Sequence, residues 1–187
     1  MSNAERHTLA VLVDNAAGVL SRVARLFSGK GYNIESLAVG TTDNPDESRI
    51  TIEVLATEDQ IALLAGQLRK LIAVHSVKVL TPEHAIRREL VLIKVLAKDA
   101  VSRNEIIQIA NIFRANIIDV SKASITLAVI GDENKAEALQ NLLMEFGILE
   151  LVRTGMVALE RGQYTIDEKT KVKGEYDYGK NVLREGL

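Results

Sequence analysis

Residues 9–39, LAVLVDNAAGVLSRVARLFSGKGYNIESLAV, restrict the possible folds more than any other part of the chain. An apolar run suited to a strand breaks at Asp14-Asn15-Ala16-Ala17-Gly18, an amphipathic segment follows, and Gly31 separates it from a second strand that begins at Asn33-Ile34. In the middle segment Val19, Val23, Leu26 and Phe27 fall on one helical face, while Ser21, Arg22, Arg25 and Ser28 fall elsewhere. A helix over residues 19–30 is therefore expected, closed by Gly31 in the left-handed conformation. The turn into it is short, small and uncharged between Asn15 and Gly18. A helix that starts this way leaves backbone N–H groups free and carries partial positive charge, which suits a small carboxylate.

Further strands are expected near 34–41 and 49–55, joined by Thr42-Asp43-Asn44-Pro45-Asp46, which has turn chemistry throughout. Thr57 with Gln60 forms a capping box for a second helix, whose apolar stripe is Ile61, Leu64, Leu68, Leu71 and Ile72. A strand at 74–80 ends before Pro82. The order is β-α-β-β-α-β, the ferredoxin-like plan.

The second half repeats that plan. Leu90 to Leu96 forms a strand, and Ser102 with Glu105 is the expected capping pair ahead of Ile106, Ile109, Ala110 and Phe113. Strands near 117–122 and 124–130, a helix over 133–145 and a last strand near 148–154 complete it. The expected fold is α+β, with two tandem ferredoxin-like domains at residues 5–81 and 87–158. Pro82 and local charge mark the boundary at 81–87. The second copy has Lys98-Asp99-Ala100-Val101 where the first has its small turn, so one functional pocket and one degenerate copy are expected. Residues 159–187 are charged and carry Tyr164, Tyr176 and Tyr178. They read either as a solvated tail or as an extension that docks on a partner subunit.

Several function classes drop out on composition. The chain of 187 residues has 47% apolar residues, a net charge of -2 and only 4% aromatics, so neither electrostatics nor base stacking favours nucleic acid. It has no cysteine, which excludes disulfides, thiolate metal sites and a cysteine nucleophile. No apolar run reaches the length of a membrane span, and Met1-Ser2-Asn3-Ala4 has neither signal nor transit character. A soluble, cytoplasmic protein is expected. His7, His75 and His84 lack metal-ligand spacing, and Ser21 and Ser36 have no histidine–acid partner in the pattern. Gly29-Lys30-Gly31 lacks the rest of a phosphate loop, Asp43 and Asp46 flank Pro45 as turn residues, and Arg87-Arg88 is too small for a nucleic-acid patch. No catalytic residue and no metal site is expected.

The pattern DNxxGVLSRVxxLFSxxGYNIESLxV closely resembles the opening of the regulatory (small) subunits of acetolactate synthase, also called acetohydroxyacid synthase. The likeness continues through Asp43, through Ser48-Arg49-Ile50-Thr51-Ile52, and again at Phe113-Arg114 and Ile117-Ile118-Asp119-Val120, spanning roughly residues 6–160. It implies an amino-acid-binding ACT domain followed by an ACT-like domain, in a non-catalytic subunit that activates a catalytic chain and confers feedback inhibition by valine. Thiamine diphosphate, magnesium and FAD would belong to that catalytic chain, with no cofactor in this one. The resemblance also implies a homodimer through ACT domains. It places a valine site at Asn15, Ala17, Gly18, Val19, Leu20, Asn33 and Ile34, with Gly40 nearby.

Each of these residues also has a plainer role. Asn15 could only cap the helix, Gly18 only relieve crowding at its start, and Gly-Tyr-Asn only stop it. Two other functions remain in view: a free-standing amino-acid sensor acting on another partner, and a small enzyme of the same fold, for which no convergent acids or bases stand out. One further pattern concerns assembly. In residues 9–13, 90–96 and 125–130 both strand faces are mostly apolar, whereas a lone sheet with helices on one face should alternate. Either two chains associate through their sheets, or the two halves of one chain cover each other.

Overall fold

The structure, a computed structural model, describes residues 4–166. The tail tyrosines Tyr176 and Tyr178, and the role assigned to most of the tail, lie outside those residues. The first half contains β1 (Glu5–Asp14), α1 (Val19–Gly29), β2 (Ser36–Thr41), β3 (Glu47–Ala56), α2 (Glu58–Leu68) and β4 (Val74–Leu80). The second contains β5 (Ala85–Leu96), α3 (Ala100–Ile112), β6 (Asn116–Val120), β7 (Ser124–Gly131), α4 (Glu133–Leu143), β8 (Ile148–Arg153) and β9 (Val157–Glu160). The strand orders are β2-β3-β1-β4 and β6-β7-β5-β8, so the two halves share one topology, and every pairing is antiparallel. This is the expected α+β pair of ferredoxin-like units.

Alternation decides which residues fill each core. Leu9, Val11 and Val13 of β1 meet Ile52, Ile50 and Ser48 of β3 in register, and their side chains lie under Val19, Val23 and Phe27 of α1 and Ile61, Leu64 and Leu68 of α2. The second core repeats this with Val91, Ile93 and Val95 beneath Ile106, Ala110, Ala136 and Leu139. Thr57 and Gln60 make the expected capping box. The α2 stripe is shorter than expected, because the helix ends at Leu68 and Ile72 is 99% exposed in the turn beyond it. The first cap of α3 also differs. Asp99, not Ser102, is the cap residue, and it exchanges bonds with Ser102. That extra turn places Ser102 inside the helix, and its N–H holds the Asp99 carboxylate below the ordinary aspartate range. The last helix ends at Leu143, two residues early, and a 3₁₀ turn (Met144–Phe146) leads to Gly147 at φ +94°.

The other face of the first sheet is where the two alternatives for assembly separate. Ala10 and Leu12 point away from the helices, yet both are buried, against Leu80, Ala85, Ala158 and Ile166. The cover is β9, a strand absent from the sequence reading, which pairs with the first part of β5 from Ala85 to Arg88. Residues 165–166 continue the cover: the Ser76 hydroxyl donates to Ile166 O at 2.5 Å and Lys78 Nζ to Thr165 O at 3.2 Å. Burial of the first sheet's second face therefore needs no second chain. The second sheet differs, since Leu90, Leu92 and Leu96 are half-buried and Ile130 is 62% exposed.

Ion pairs and hydrogen bonds join the halves. Glu53 on β3 is 2% exposed, pairs with Arg87 of β5 and accepts from Thr8 at 3.2 Å. Arg6 pairs with Glu133, Met156 N–H donates to Ser36 Oγ at 2.7 Å, and Arg49 donates to Ala158 O at 2.7 Å.

Candidate functional site

The start of α1 is built as an open helix end. Gly18 occupies the cap position at φ +82°, offers no side chain, and has no heavy atom within 4 Å of where a Cβ would stand. Only glycine adopts that conformation freely, so the residue is fixed by backbone geometry and not by crowding. The first turn of α1 contains no acidic residue. Val19 N–H closes a turn onto Ala16 O at 3.3 Å, while the N–H groups of Ala17, Gly18 and Leu20 have no acceptor among the described residues. Asn15, Ala17, Gly18 and Leu20 are exposed, and Val19 is buried in the core. Free donors plus the dipole end of an 11-residue helix are chemically suited to a carboxylate.

Asn15 does not cap the helix. Its Nδ2 donates to Pro45 O at 2.9 Å, its Oδ1 accepts from Ser48 Oγ at 3.0 Å, and its N–H donates to Asp46 O at 2.7 Å. The β2–β3 loop thus grips the turn, a contact that sequence spacing did not suggest. The loop is itself held by Asn44 N–H on Thr42 Oγ1 at 3.1 Å and Asp46 N–H on Asn44 Oδ1 at 3.1 Å. On the other side, Asp14 N–H donates to Ala73 O at 2.9 Å, and its carboxylate meets His75 Nε2 at 2.7 Å. His75 stands on β4, and its ring is held by the Asp14 carboxylate.

A cleft of about 240 Å³ opens beside the helix start, lined by Val19, Arg22, Val23, Leu71, Ile72 and Val74 among others. Its walls are mainly aliphatic, with Arg22 and Lys70 at the rim. The other two site residues lie elsewhere. Asn33 and Ile34 follow the far end of α1, about 16 Å of helix away. There Asn33 Nδ2 donates to Glu35 at 2.6 Å, and Ile34 packs against the first core. Gly31 closes α1 at φ +76°, as expected. Within one chain the seven residues therefore form two groups at opposite ends of one helix. Gly40 lies on the helix-free side of β2, in a separate groove of about 440 Å³ with Thr51, Ile86, Val157 and Leu159.

The helix starts of the second half are closed by side chains: Asp99 accepts from Ser102 N–H at 2.8 Å and Asp132 from Lys135 N–H at 3.0 Å, where Gly18 offers no side chain at all. No helix among the described residues is long and apolar enough to cross a membrane.

Comparisons with known proteins agree on one family. A family model described as "AHAS small subunit-like ACT domain" matches residues 9–76, and one described as "Small subunit of acetolactate synthase" matches residues 88–162. The chain is 51% identical over 156 residues to a protein of Mycobacterium bovis named acetolactate synthase small subunit, covering 83% of this chain and 92% of that one. It is 49% identical over 157 residues to a probable acetolactate synthase small subunit of Archaeoglobus fulgidus, covering 84% and 98%. The crystal structure of the acetolactate synthase small subunit from Thermotoga maritima superposes with a TM-score of 0.80 at 37% identity, covering 86% and 99%.

Proposed function

Since the chain belongs to the family of acetolactate synthase small subunits, we propose that it binds the catalytic subunit of that enzyme, raises its activity and makes it sensitive to valine. The supporting observation is the uncapped start of α1, where Gly18 leaves main-chain donors open beside an aliphatic cleft. Valine is a carboxylate, an ammonium and a short branched side chain. The free N–H groups suit the carboxylate, and Val19, Val23 and Leu71 suit the side chain. Thiamine diphosphate, magnesium and FAD are assigned to the catalytic chain.

Asn33 and Ile34 join this site through a second copy. Among the described residues strand β2 has a neighbour strand on one side only, β3, so its other edge can pair with the same strand of another chain. Antiparallel pairing of the two β2 strands reverses one unit against the other, and sets the α1 start of one protomer beside Asn33 and Ile34 of its partner. A ligand held by both then senses their mutual placement. Coupling of this kind is worth about 1–3 kcal/mol and is reciprocal, so the catalytic subunit must shift valine affinity by the factor by which valine shifts its own binding.

Reconstitution tests the reading. A catalytic acetolactate synthase subunit is assayed alone, with this chain, and with this chain plus L-valine. Stimulation that valine reverses is the expected result. Activity indifferent to the chain would leave an amino-acid sensor with a different partner.

A further inference from the structure

We infer that Ser48 is a positioning residue of the effector site, its hydroxyl holding the Asn15 carboxamide in the orientation an α-amino acid requires. The inference rests on the effector reading of the α1 start and deepens it. Ser48 stands on the helix-covered face of β3, in the stripe that continues with Ile50, Ile52 and Val54, and it is 7% exposed. An aliphatic residue would serve packing there, and a buried hydroxyl needs a partner. Its partner is Asn15 Oδ1, at 3.0 Å.

The orientation is fixed from both ends. Nδ2 donates to Pro45 O at 2.9 Å, so a flipped amide would set its oxygen against that carbonyl oxygen. These two bonds use one amide hydrogen and one oxygen lone pair. One of each remains, a donor for a carboxylate and an acceptor for an ammonium, which is the pair of groups that every α-amino acid presents. An exposed asparagine otherwise samples several rotamers, and selecting one of them costs binding affinity. Ser48 and the β2–β3 loop make that selection before the ligand arrives.

The test compares Ser48→Thr with Ser48→Val in the full-length chain, two side chains of nearly equal size that differ by the hydroxyl. Ser48→Ala, which adds no bulk, serves as a second hydroxyl-free variant. Affinity for L-valine is measured by calorimetry and folding by thermal melting. Ser48→Thr is expected to bind within about 2-fold of the unaltered chain, and Ser48→Val and Ser48→Ala about 5- to 20-fold more weakly, with melting temperatures close to that of Ser48→Thr. In an Asn15→Ala background, removal of the Ser48 hydroxyl should cost nothing more. If Asn15→Ala weakens valine but Ser48→Val and Ser48→Ala bind as Ser48→Thr does, the positioning role is overturned and the effector site stands. Equal losses in all three Ser48 variants would also overturn it, since packing would then be the cause. If valine binds normally even to Asn15→Ala and Gly18→Asp, the effector site itself is wrong.

Discussion

Gly18 carries two constraints at once, and substitutions can separate them. Its φ of +82° makes any side chain strained, while the space around its absent Cβ is open. Asparagine tolerates that conformation best, so Gly18→Asn should cost about 1 kcal/mol, a fall of about 2–4 °C in melting temperature. Gly18→Asp has nearly the same shape but brings a negative charge to the donors. It should abolish valine inhibition and leave stimulation of the catalytic subunit intact, whereas Gly18→Asn should only weaken inhibition. Loss of stimulation in both would mean that Gly18 serves folding. The glycine and its uncharged surroundings were legible in the sequence because the turn is local. The Asn15 grip was not, since Pro45 and Ser48 lie about thirty residues away and nothing in their spacing points to Asn15. A polar residue at the head of the Ser48, Ile50, Ile52, Val54 stripe was the available sign.

Among the elements, β9 changes the account of stability most. It turns Leu12, on the side of β1 away from the helices, into a core residue at 5% exposure. Leu12→Ala should therefore destabilise the chain by about 2–5 kcal/mol in urea unfolding, at any protein concentration. A loss that vanishes on dilution would instead mean that a second chain covers this face. The strands and helices of both halves were readable because period-2 and period-3.6 patterns are strong over ten residues. β9 has four residues, and its partner stretch on β5 carries Arg87 and Arg88, so charge made a strand resemble a linker. The α3 cap was misplaced for a related reason. Asp99 and Ser102 both suit a cap, and only backbone geometry chooses between them.

Across the whole molecule, a buried carboxylate and its arginine help to join the two halves. Arg87 meets Glu53, whose carboxylate is almost wholly enclosed. Arg87→Met strands that carboxylate and should cost about 3–5 kcal/mol, while the double variant Arg87→Met, Glu53→Met should recover most of it. Glu89 gives a pH signature. Burial raises its carboxyl above the ordinary glutamate range despite the Arg153 guanidinium at 2.7 Å. A folded-state value above the unfolded one means that the native chain binds the proton more tightly. The contribution is thus full below the unfolded value, falls as pH rises through the folded value, and is constant above it. Melting curves of the unaltered chain and Glu89→Gln should diverge over that interval, the unaltered chain losing ground as pH rises. Parallel curves would contradict the assignment.

The most direct measurement is a crystal structure of the chain with L-valine. Density for one amino acid is expected at the α1 start, its carboxylate on the free N–H groups at Ala17, Gly18 and Leu20 of one protomer, with Asn33 of a second protomer completing the enclosure. Valine bound at another place, with this helix end left to solvent, would contradict it.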